Sequence, residues 1–266
     1  MKKPLIWLLA FVVTAASAFY QRRTGPTYPV EGEVTVAGTP VKFSLPRSAE
    51  TTGDAEVSVA APSQDVAGRL LYKRFKTEDP WSEAAMTRQS DRLTGYLPRQ
   101  PESGKLAYRV VLLSGGRDVS LTGDEPIILR FKGHVPLAIL LGHVLVMFTA
   151  MLLSTRAGLA ALDRSADPRV YRNWTVVLLF VGGFIFGPLV QKLAFGTWWT
   201  GVPNGWDLTD NKTLIAIVFW VIALIAGRGG RRARLWTVAA AVLMLVVFMI
   251  PHSLFGSELR YPAAGR

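Results

Sequence analysis

No cysteine occurs among the 266 residues. Disulfides and thiolate metal sites are excluded. The redox compartment stays open, because an oxidising compartment permits disulfides without requiring them. Histidine is scarce, with three in the chain, and neither HxxxH nor HxxH spacing occurs. GxSxG, HExxH, the Walker A pattern, GxGxxG and CxxC are absent as well, which removes the usual signatures of nucleophilic, zinc-hydrolytic and nucleotide-binding chemistry. Carboxylates are few beside the basic side chains, 19 against 30, so the formal charge is +11. A surplus of that size invites a nucleic-acid reading, but its layout argues against one. Lys2, Lys3, Arg156, Arg164, Arg169, Arg172, Arg228, Arg231, Arg232 and Arg234 flank apolar blocks, with only Asp163 and Asp167 among them. Charge gathered in short segments between apolar runs is the positive-inside pattern of a membrane protein. A nucleic-acid surface would set it on one folded face with aromatics interleaved.

What is present in abundance is hydrophobic sequence, half of the chain, gathered into blocks. Residues 1–19 read as a transmembrane anchor or a signal peptide; Ala16-Ser17-Ala18 fits a signal-peptidase site, while Phe19 and Tyr20 fit an interfacial belt. Further spans are expected at about 135–153, 174–195, 213–227 and 235–251, a C-terminal four-helix transmembrane bundle within residues 133–266. Gly183 and Gly187 form a GxxxG pair in the third block, and Pro188 is expected to kink it.

Residues 20–132 differ in kind. Alternating runs at Glu33–Val36, Val41–Leu45, Ala55–Val59, Gly68–Phe75, Leu93–Leu97, Leu106–Leu113 and Ile127–Phe131 are separated by turn signals, which predicts an all-β sandwich. Its charges nearly balance. Trp81 is expected at a strand edge in the core, with a ligand platform as the other role. The fold class is thus an α+β membrane protein. With the basic linkers assigned to the cytoplasm, the N-terminus is cytoplasmic. The sandwich, the tryptophan loop and the C-terminal tail are then extracytoplasmic, at a bacterial inner membrane.

The densest chemistry lies at Gly182–Thr213. Trp198, Trp199 and Trp206 fit an interfacial belt, and glycines and Pro203 shape a tight loop. Asp207-Leu208-Thr209-Asp210 suits the N-terminus of the fourth block. Lys192 is expected to pair with Asp207 or Asp210. Gln191, Asn211 and His143 complete a candidate polar cluster. His134, His252, Asp207 and Asp210 are candidate metal ligands, since imidazole and carboxylate suit iron, copper and zinc, and a haem is an alternative for the histidines. Scattered histidine spacing favours a helix-bridging role over either cofactor.

Leu97–Tyr108 resembles the strand-to-strand corner of immunoglobulin-like and fibronectin type III domains, with Tyr108 where a corner tyrosine stands. The segments FYQRRTGPTYP, YLPRQPESGKLAYR, FKGHVP and VQKLAFGTWWTGVPNGWDLTDNKT resemble a family of bacterial multi-pass membrane proteins with such an external domain. The resemblance implies architecture and carries no activity, cofactor or site residue. The expected function is a non-enzymatic scaffold or accessory subunit, with the bilayer and other envelope proteins as partners and no nucleic acid. A haem- or metal-binding redox component and a small carrier or channel component are the alternatives.

Overall fold

The computed structural model describes residues 3–61, 63–226, 230–251, 258, 259 and 261. The chain forms two compact units. One contains residues 1–26 and 135–257, the other residues 27–134 and 258–266.

The second unit is built of strands: β1 Val30–Val36, β2 Thr39–Leu45, β3 Ser48–Glu50, β4 Ala55–Ala60, β5 Ala67–Arg74, β6 Ser82–Ala85, β7 Thr87–Gln89, β8 Arg92–Leu97, β9 Lys105–Ser114, β10 Arg117–Ser120 and β11 Ile127–Lys132. Every run expected from alternation overlaps one of these strands. They form a β1-β2 ribbon, a six-stranded sheet of order β3-β11-β9-β5-β6 with β10 on β9, and a three-stranded sheet β4-β8-β7. Alternation sets the faces. In β5 and β9 the register pairs Leu70 with Val110 and Tyr72 with Tyr108, and these side chains enter one core with Val57, Leu97, Leu129 and Phe131.

Two expectations change here. Tyr108 is fully buried, and its hydroxyl donates to the carbonyl of Pro46 at 2.8 Å, between β2 and β3. A corner tyrosine bonds a few residues upstream; this one spans 62 positions and fastens β9 to a distant link. Burial pushes its phenol well above the ordinary tyrosine range. Trp81 is not in the core. It is 38% exposed, and its ring lies 5.5 Å from Lys73 Nζ and 5.0 Å from the Arg109 guanidinium, both at outward positions of the large sheet.

The polar tail contributes to this unit too. The Leu259 amide donates to Ser103 O, and Glu258 bridges Lys76 and Lys105 at 2.7 and 2.6 Å. The Tyr261 hydroxyl accepts the Lys105 amide at 3.0 Å.

The helical unit comprises α1 Lys3–Arg23, α2 Leu137–Leu162, α3 Arg169–Phe180, a π-helical turn Val181–Phe186, α4 Gly187–Phe195, α5 Leu208–Ile225 and α6 Gly230–Met249. Counting α3 through α4 as one, five helices among the described residues are long and apolar enough to cross a membrane. Each outruns its apolar block. Helix α2 continues past Ser154, because Thr155–Leu162 is rich in Ala and Leu and only Asp163 turns extended. Residues Ser154–Leu162, expected between spans, are therefore helical, and Arg231, Arg232 and Arg234, expected in the linker before 235, lie inside α6. Helix α1 packs on α2 and α6, with Thr14 Oγ1 3.5 Å from Thr155 Oγ1.

Candidate functional site

The π-helical turn falls just before Pro188. Proline has no N–H to give the preceding turn, and a widened turn is one way for a helix to absorb that defect. The Gly187 amide donates to Gly182 O across five residues. His143 on α2 donates its Nδ1–H to the same carbonyl at 3.1 Å, which fixes the imidazole proton on Nδ1. The adjacent glycines set the packing. A Cβ on Gly182 would lie 2.6 Å from Met147 Sδ on α2, and one on Gly183 would lie 2.5 Å from Thr213 Cγ2 on α5. Gly183 and Gly187 do not share a seam, because the inserted residue turns Gly187 toward His143 on α2.

Beyond α4 the aromatic loop is fastened to this turn. Phe180, Phe184 and Trp199 stack in series, at 6.0 and 5.5 Å between ring centroids. Trp199 Nε1 donates to Val202 O at 3.1 Å. Trp198 and Trp206 instead project outward, 56% and 87% exposed, as belt residues do.

The polar residues of the loop serve its own backbone. Asp207 is the N-cap of α5, accepting from the Thr209 amide at 2.8 Å. Asp210 is buried one turn on. Its Oδ2 receives the Thr200 amide at 2.6 Å, the Thr200 hydroxyl at 3.1 Å and the Gly201 amide at 3.1 Å. Asn211 Oδ1 accepts from the Val202 amide at 2.8 Å, and Gln191 donates to the Thr200 hydroxyl at 2.7 Å. Gly201 must lack a side chain here, since a Cβ would stand 2.7 Å from that of Asp210. The expected pairing of Lys192 with an aspartate is overturned. Lys192 Nζ donates to Gly196 O at 2.7 Å, where left-handed Gly196 ends α4, while the Asp210 carboxylate is taken by amides.

Lys192 is one of several long side chains that close helix C-termini, whose last carbonyls lack partners inside the helix. Lys212 on α5, 1% exposed, donates to Ile250 O at 2.8 Å just past α6. Gln21 on α1 donates to Phe248 O and Ile250 O at the same helix end. Arg234 on α6 serves the C-terminus of α2, with Nη1 on Ala160 O, Ala161 O and Asp163 O and Nη2 on Arg164 O and Ala166 O. In hydrocarbon an unmet carbonyl is costly, and a cation also suits the negative end of the helix dipole. Sequence reasoning passed over Lys212, Gln21 and Arg234 as sites, because their partners are backbone atoms far along the chain. Lys212 stands among polar residues just before the apolar run that begins after Thr213, so nothing local marked it.

The candidate metal ligands are divided between the two units. His134 Nδ1 lies 3.0 Å from Glu50 Oε2 in the strand unit. Asp207 and Asp210 belong to the helical unit and bond as described, and His252 and Arg228 lie outside the described residues. Among the described residues, no group of three or more His, Asp or Glu side chains is arranged to hold a metal ion. Compared with known proteins, the chain matches no family model, no curated protein and no solved structure.

Proposed function

We propose that the protein is a non-enzymatic integral membrane protein, a scaffold or accessory subunit of a bacterial cell-envelope assembly, with the strand unit as its interaction module. The observation that carries this reading is where the polar groups of the helical unit go. Asp210, Asn211, Gln191, Lys192, Lys212 and Arg234 all bond within that unit. A reacting or transporting site presents such groups to a substrate; these brace a loop and close helix ends.

Available chemistry lies instead on the strand unit, where Trp81 sits between Lys73 and Arg109. Tryptophan and arginine are enriched where proteins meet. We read the sheets as an immunoglobulin-like sandwich facing outward from the inner membrane, with the N-terminus cytoplasmic and α1 retained as an anchor. The arginine-bearing linkers and the packing of α1 on α2 and α6 support this.

A photo-crosslinking residue at Trp81 tests the module. A discrete protein adduct is expected, weakened when Lys73 and Arg109 are changed to alanine. Adducts with lipid alone, or none, reject the reading. The cysteine-free chain makes orientation equally direct. An impermeant maleimide on intact spheroplasts should label Ser120→Cys and spare Arg232→Cys. N-terminal sequencing of the mature protein decides whether α1 is kept.

A further inference from the structure

Arg156 is the exception to the pattern of capped helix ends. It lies on α2, six residues before Leu162, and is 4% exposed. Its guanidinium lies against two rings, 4.4 Å from Tyr171 on α3 and 5.6 Å from Trp7 on α1. Those rings meet edge to face, 5.6 Å apart. A ring face accepts no conventional hydrogen bond, so the N–H donors of the cation still need partners. Nε and Nη1 are buried and have no hydrogen-bond partner among the described residues.

Among the described residues, the nearby carboxylates of Asp163 and Asp167 are engaged elsewhere. Asp163 Oδ1 accepts from the Ser165 amide and hydroxyl, and Asp167 Oδ1 accepts from the Arg169 amide and faces Arg169 Nε at 3.7 Å. Tyr171 belongs to the first turn of α3, whose dipole presents positive charge. No acidic residue occupies that turn. A buried guanidinium beside a helix N-terminus is unfavourable twice over unless an anion sits there.

We propose that Arg156, lying against Trp7 and Tyr171, is a binding site for a phosphate group. The position favours that chemistry. Arg156 is about 9 Å along α2 from its end, at ~1.5 Å per residue, and guanidinium matches tetrahedral oxyanions with several donors at once. The phosphate comes either from the headgroup of an anionic phospholipid or from solution. The site rests on the helical unit lying in a bilayer and is independent of any protein partner.

Native mass spectrometry of the delipidated full-length protein tests it, titrating phosphatidylglycerol, phosphatidylcholine or inorganic phosphate. Wild type is expected to retain phosphatidylglycerol, with Arg156→Met binding it roughly tenfold or more weakly, as loss of charged hydrogen bonds implies. Saturation by inorganic phosphate alone, again lost in Arg156→Met, assigns the source to solution. Equal retention of phosphatidylglycerol and phosphatidylcholine with no phosphate binding overturns the proposal, as does unchanged binding in Arg156→Met. Should that variant fail to fold, Arg156→Lys replaces it. Its reduced phosphatidylglycerol or phosphate binding supports the site, and wild-type binding by it rejects the guanidinium as the ligand.

Discussion

Asp210 and Thr200 are joined twice, since one carboxylate oxygen receives both the backbone amide and the hydroxyl of the same residue. With the Gly201 amide as a third donor, that oxygen organises the aromatic loop from the first turn of α5. Asp210→Ala strands at least two amide donors around a buried position, at about 1–3 kcal/mol for each group left unmet. Asp207→Ala removes an N-cap, worth about 1 kcal/mol. Thermal unfolding in detergent should therefore show Asp210→Ala as clearly the more damaging. Equal losses would reduce Asp210 to a second cap.

The strand unit carries a pH-dependent pair. Arg74 donates from Nε and Nη2 to Asp79 at 2.6 and 2.8 Å, and with Thr77 it holds the carboxyl at about 2 instead of 3.8. A depressed carboxyl contributes stability that is whole above its unfolded value and fades as pH falls through its folded value. Asp79→Asn should thus be less stable than wild type at neutral pH. The two should converge as pH falls from about 4 toward about 2. Denaturant unfolding of the full chain across that range checks this, and a gap that persists at the acid end removes the ionic contribution.

What could be read in advance follows from what is local. Strand β4 alternates buried and open positions along Ala55–Ala60, and that period is written in the residues themselves. The membrane-length helices were legible for the same reason, as largely apolar runs. That Asp207–Asp210 opens the fourth block was legible too, although which aspartate caps it, Asp207, was not. The failures share a cause. Arg156 reads as the start of a polar linker until Trp7 and Tyr171 cover it. Trp81 reads as core until its neighbours prove to be outward-facing cations. The π-helical turn depends on how Pro188 is absorbed among packed helices, which no periodicity encodes. Lys192 was assigned an ionic partner when the nearest need was a carbonyl four residues away.

The long tie from Tyr108 to Pro46 makes a separate forecast. Tyr108→Phe keeps the ring and leaves Pro46 O short of its partner. The loss should be about 1–2 kcal/mol, typical of one buried neutral hydrogen bond plus an unmet acceptor. Tyr108→Leu adds lost packing and should approach about 3 kcal/mol. Denaturant titrations of both variants would separate the hydroxyl from the ring. A silent Tyr108→Phe would mean that water satisfies Pro46.

Lys212 and Gln21 meet at the carbonyl of Ile250, one from α5 and one from α1, at 2.8 and 3.3 Å. Two donors on one acceptor make each replaceable. Lys212→Met removes a buried cation and spares its desolvation, while Gln21 still serves Ile250, so stability should move by less than about 1 kcal/mol. Gln21→Ala takes the side-chain donor from Phe248 O but leaves Lys212 in place. Only the double variant strips Ile250 of both side chains. Its loss should exceed the sum of the single losses by about 0.5–3 kcal/mol, the coupling expected of residues sharing a partner. Additive losses would show that the end of α6 needs neither donor. A severe Lys212→Met defect by itself would assign that lysine a role beyond capping.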